Sequence, residues 1–112
     1  MAGRYDFDLD QGATFNRTIQ IKDKDSQAVD ISASYSFAGQ IRTTPTSADT
    51  EASFTFTIVD GTNGILGMKL SATESAAVPA QQCVYDVEMT QPNSEVVRLL
   101  EGFVNVKANV TR

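Results

Sequence analysis

The sequence predicts an all-β domain, a two-sheet antiparallel β-sandwich of six to eight strands with one short helical turn near 72–78. Three observations carry this. Apolar residues recur at every second position in run after run, the period at which a pleated strand turns one face to a core. Turn-forming residues separate the runs. Within the runs valine, isoleucine, threonine, phenylalanine and tyrosine dominate, and long Leu/Ala/Glu/Lys stretches are missing.

Tyr5, Phe7 and Leu9 alternate with Asp6, Asp8 and Asp10. Phe15, Ile19 and Ile21 alternate with polar residues, although Arg17 interrupts the apolar side. Tyr35, Phe37 and Ile41 share a face with Gly39 between them, and Phe54, Phe56 and Ile58 alternate with Thr55 and Thr57. Leu66, Met68 and Leu70 oppose Gly67 and Lys69, and Cys83, Tyr85, Val87 and Met89 oppose Asp86, Glu88 and Thr90. The run from Val96 to Val110 is apolar on both parities, with Leu100, Val104 and Val106 on one and Val97, Leu99 and Phe103 on the other; Gly102 in its middle predicts a bulge or bend.

The connections follow. Asp23-Lys-Asp-Ser-Gln is a polar turn, and Asp60-Gly-Thr-Asn-Gly supplies glycines for positive φ, so 53–71 reads as a β-hairpin. Gln91-Pro-Asn-Ser-Glu joins the last two strands, and Thr43 to Ala52 is an exposed loop. Ser71 or Thr73 caps a helical turn that Pro79 ends. The architecture these elements fit is an immunoglobulin-like sandwich, with a small barrel as the competing arrangement. The disulfide and buried tryptophan of antibody domains are absent: there is one cysteine, Cys83, and no tryptophan.

A chain of 112 residues is the size of one domain, spanning 1–112. Its net charge is −5 with nine basic residues and no basic cluster, so neither nucleic acid nor an anionic membrane is an expected partner. A single cysteine and an N-terminus without a basic-then-apolar pattern predict folding in a reducing cytoplasm.

Chemistry is sparse. Histidine is absent, which removes the commonest general base and the Ser-His and Cys-His pairs. Cys83 shares parity with Tyr85 and Val87 and reads as an inert core thiol. Asp6, Asp8 and Asp10 begin like a calcium loop, but the glycine comes one place late at Gly12 and no glutamate closes it; they read as a solvated face, as do Asp23, Asp25 and Asp30. Asn16-Arg-Thr and Asn109-Val-Thr match a glycosylation pattern that matters only in secreted eukaryotic proteins. Asp86 and Glu88 lie on one side of a strand with no tryptophan to line a saccharide groove. No cofactor, metal or catalytic residue is expected, and the chain is expected not to be an enzyme.

Binding is then the expected activity. Arg42 and Arg98 sit in apolar strand contexts, where an arginine either lays its stem over apolar neighbours or presents its fork to a carboxylate at an interface. Together with Phe103 and Val110, in the long terminal run, they are the interface candidates; that run is also the candidate for an edge strand augmented by a partner.

Several strings resemble small structural proteins of tailed bacteriophages: Asp10-Gln-Gly-Ala-Thr-Phe, Gly39-Gln-Ile-Arg, the hairpin from Phe54 to Ser71, Val84-Tyr-Asp-Val-Glu, and Arg98-Leu-Leu-Glu-Gly-Phe-Val-Asn-Val with the ending Val110-Thr-Arg. The resemblance covers nearly the whole chain and implies a virion protein assembled in the host cytoplasm and repeated by the particle's symmetry, so a homo-oligomer or multi-copy partner of other virion proteins. It implies a tail or baseplate adaptor, with the anchoring of a tail fibre among its roles; the alternatives are a capsid decoration protein and a glycan-binding module facing the host.

Overall fold

A computed structural model of the chain describes residues 3–23 and 25–110. Met1, Ala2, Lys24, Thr111 and Arg112, which enter the expectations through the N-terminal pattern, the polar turn, the second glycosylation pattern and the chain's ending, lie outside the described residues.

Two sheets face each other. The larger contains β1 (Gly3–Arg4), β2 (Phe7–Asp10), β4 (Ser36–Arg42), β5 (Ala52–Ser53), β8 (Gln82–Thr90) and β9 (Val96–Lys107), in the order β1-β9-β8-β4-β5, with β2 also on β9. The smaller has β3 (Phe15–Gln20), β6 (Thr55–Asp60) and β7 (Ile65–Leu70), in the order β3-β7-β6. These are the G-F-C-C′ and B-E-D orders of the immunoglobulin sandwich. Two of the nine strand segments, β1 and β5, have only two residues. All the strand pairings are antiparallel except two: β1 and β2 both run parallel to β9. The opening strand has thus left the smaller sheet and lies along the larger one.

The core forms where the inward parities meet. Phe7 stacks on Phe15 across the sandwich, ring centroids 4.6 Å apart, and Tyr85 meets Phe7 edge-on at 4.9 Å. Phe54, on the crossing from β5 to β6, packs against Phe7, Phe15 and Tyr85. Gly39 makes room for it: a Cβ there would lie 2.9 Å from the Asp86 carbonyl and 3.2 Å from the Phe54 ring. Cys83 is fully buried, and burial followed by the nearby Glu51 pushes its thiol pKa up.

The helix α1 (Ala72–Ala76) starts on a capping box, with the Ser71 hydroxyl accepting from the Glu74 amide and the Glu74 carboxylate accepting from the Ser71 amide. Ser75 is completely buried; its hydroxyl donates to the Ala13 carbonyl at 2.7 Å and accepts from the Gly12 amide at 3.1 Å. Gln11 adds a bond to the Val78 carbonyl and accepts from the Asn109 amide. The string Asp10-Gln-Gly-Ala-Thr-Phe is therefore a knot that ties the β2–β3 turn to α1 and to the end of β9. Gly12 holds φ +80° there, pressed against the Asn109 side chain.

The bulge predicted at Gly102 lies three residues earlier. Val87 opposes Leu100 while Glu88 opposes Arg98, so Leu99 is the extra residue. This inserted residue swaps the faces of β9, which is why the run is apolar on both parities. Gly102 serves close approach instead, because a Cβ there would sit 2.2 Å from the Tyr5 carbonyl oxygen.

Candidate functional site

The inward parities fill the core, so the outward ones define what the domain can present. On the larger sheet these align into cross-strand rows. Arg42 opposes Val84, and Val84 opposes Phe103. The next row is Gln40, Asp86, Glu101 and Arg4, and the one after it is Ala38, Glu88 and Arg98. The first two rows and Arg98 line an open depression of about 340 Å³, with Pro45 at its border.

Three of the four interface candidates meet here: Arg42, Arg98 and Phe103 come from β4 and the two halves of β9. Val110 does not join them. It is 90% exposed, beyond the end of β9, next to the residue that bonds Gln11. Nor is β9 an edge open to augmentation as expected: β8 flanks it on one side and β1 and β2 on the other.

The polar groups of the depression are mostly matched to one another. Arg98 pairs with Asp86 at 3.5 Å and with Glu101 at 3.3 Å. Its fork therefore binds carboxylates of its own chain. Arg4 pairs with Asp6 at 3.3 Å and lays its guanidinium over the Phe103 ring, 4.8 Å from the centroid. Asp6 also accepts from the Phe103 amide at 2.8 Å, which fixes the base of that aromatic. Arg42 donates to the Ser47 carbonyl at 2.9 Å and to the Gln40 side-chain oxygen at 2.8 Å, both neutral acceptors.

Arg4, Gln40, Val84, Asp86 and Glu101 were not among the interface candidates. Their signal was parity: each is an outward residue in a row with Arg42, Arg98 or Phe103, but rows need a register, and a register needs the fold. Several of the carboxylates weighed for metal or acid–base roles are engaged elsewhere. Asp8 pairs with Lys107 at 3.6 Å, and Asp30 accepts from the Ser32 amide and hydroxyl, which hold its carboxyl below the ordinary range. Among the described residues no three metal-ligating side chains converge.

A second opening, of about 840 Å³, lies between the sheets where β3 ends and β9 begins. Ile19, Val29, Tyr35, Val97, Leu99 and Leu100 line it, together with Ile21 and Met89 of the second core cluster, which also contains Ile31 and Leu66. It is a loosely closed end of the core, with Gln20, Lys22, Asp23 and Gln91 also in its lining.

No protein-family model matches this sequence, and no curated protein matches it.

Proposed function

We propose that this chain is a non-enzymatic structural protein of a tailed-phage virion, an adaptor or connector at the tail or baseplate. It acts by contacting neighbouring virion proteins, a tail fibre among them, through the outer face of its larger sheet. The observation that carries the contact reading is the row Arg42–Val84–Phe103, a cation, an apolar residue and an exposed aromatic set side by side on three adjacent strands. Arginine and aromatic side chains are the types enriched where proteins bind one another.

The virion reading is supported by the phage-like strings, several of which have defined structural tasks: the Gln11–Gly12 knot, the β6–β7 hairpin and the Gly102 approach. The glycan-binding alternative finds less support, because Arg4 already occupies one face of the Phe103 ring that would stack on a sugar.

The test is the location and copy number of the chain in purified particles, by quantitative mass spectrometry and particle imaging. The adaptor reading expects about six, twelve or a few dozen copies at the tail, as cyclic symmetry dictates. Hundreds of copies on the head would replace it with the capsid-decoration reading, and absence from particles would overturn both.

A further inference from the structure

The charges on the outer face of the larger sheet fall into two sets. Arg4 and Arg98 are neutralised within the chain by Asp6, Asp86 and Glu101. Arg42 and Glu88 are not: among the described residues Arg42 meets only neutral acceptors, and the Glu88 carboxylate has neither an ion pair nor a hydrogen bond. They cannot serve each other. Arg42 lies opposite Val84, and Glu88 is four residues farther along β8, roughly 13 Å away along the strand and a further ~5 Å across.

We infer that this face binds the same face of a second copy, in a two-fold arrangement that sets Arg42 of each chain against Glu88 of the other. The inference rests on the reading above that this face is the contact surface, and it names the occupant. A two-fold contact is self-complementary, so the axis that brings Arg42 onto the partner's Glu88 also brings Glu88 onto the partner's Arg42. A foreign partner with a single sign of charge satisfies only one of the two. Charge also selects this face for self-association. The chain carries −5 overall and two copies repel, whereas on this face Arg4, Arg42 and Arg98 stand against Asp6, Asp86, Glu88 and Glu101, which leaves it close to neutral. Between the two charged contacts lies the Gln40–Asp86 row, whose Asp86 is already paired with Arg98, and Val84 and the part-exposed Phe103 continue the Arg42 row as apolar surface.

The experiment is sedimentation of the full chain from about 1 µM to about 1 mM, the span from firm to weak association. The wild type is expected to form a dimer. Arg42→Glu and Glu88→Arg, each counted twice in the dimer, should weaken it at least about tenfold, and the double variant should return to within about threefold of wild type. Both side chains point outward, and circular dichroism checks that each variant keeps its fold. A wild type that stays monomeric, single variants without effect, or a double variant that fails to restore the dimer each overturn the inference. If the chain is monomeric but Phe103→Glu is still excluded from particles, the homotypic pairing alone fails. If Phe103→Glu is also incorporated normally, the contact face fails with it.

Discussion

The hydroxyl of Tyr85 donates to the main-chain carbonyl of Tyr5 at 2.5 Å, across a separation of 80 residues. Tyr85 is buried on β8, and Tyr5 lies in the break between β1 and β2, so this bond fastens the opening strand to the middle of the larger sheet. The break itself is closed from the other side, where Tyr5 donates its amide to the Glu101 carbonyl and Asp6 accepts the Phe103 amide. The strand that carries Arg4 onto the contact face is held by this small set of bonds.

Tyr85→Phe should destabilise the domain by about 1–2 kcal/mol, since it leaves a carbonyl in a poorly solvated position without its donor while keeping the ring contacts with Phe7 and Phe54. The urea midpoint, at unchanged slope, measures it. An unaltered midpoint would show that the bond contributes nothing.

Gly102→Ala should cost more, about 1–3 kcal/mol or above, because the added Cβ would meet main-chain atoms of Tyr5 rather than a yielding side chain. The damage should be local. Amide exchange should quicken at Tyr5 and Phe103, whose bonds bridge β9 and the opening strand, and stay slow along the β4–β8 ladder.

Alkali should probe the same place. Burial, then the nearby Tyr5 and Asp6, raise the Tyr85 phenol above its ordinary value, outweighing the lowering by Arg4. The unfolded chain then ionises first, near pH 10, so this stabilisation is complete below about pH 10 and is lost as the pH climbs from there towards the folded value. Denaturation midpoints at about pH 8 and about pH 11 should fall apart in the wild type and less so in Tyr85→Phe. Equal falls would separate Tyr85 from the alkaline transition.

Alternation alone located most strands and their inward faces: Phe7 and Leu9, Leu66, Met68 and Leu70, and Cys83 through Met89 are buried where the period of two put them. The Ser71 cap and the hairpin turn were legible because their chemistry is local. Direction and register were not. Nothing in Phe7-Asp-Leu-Asp says that it pairs parallel with β9, since a strand's own pattern is indifferent to which way its neighbour runs. The bulge at Leu99 was concealed by Gly102, a residue whose smallness answers a chain segment nearly a hundred positions away. Ile58 and Arg17 mark another limit: Ile58 keeps the inward parity yet is 44% exposed at the open edge of β6, and Arg17 folds its guanidinium over Phe15. Three of the contact candidates could be named from their types, but their companions on the face emerged only from cross-strand rows.

Ser75→Ala should cost about 1–2 kcal/mol, because it removes a fully buried hydroxyl that serves both the half-buried Gly12 amide and the Ala13 carbonyl. Chemical denaturation measures this directly. A loss no larger than that of an exposed serine such as Ser53 would mean that the knot at Gln11–Gly12 holds without it.

The central claim is that the chain works through the outer face of its larger sheet, and incorporation of variants into particles tests it most directly. Phe103→Glu and Arg42→Glu should be excluded from particles by at least about tenfold, as expected for charge placed in a contact. Thr57→Glu, exposed on the smaller sheet, should be incorporated like wild type. Equal incorporation of all three, or loss of Thr57→Glu alone, would contradict the account.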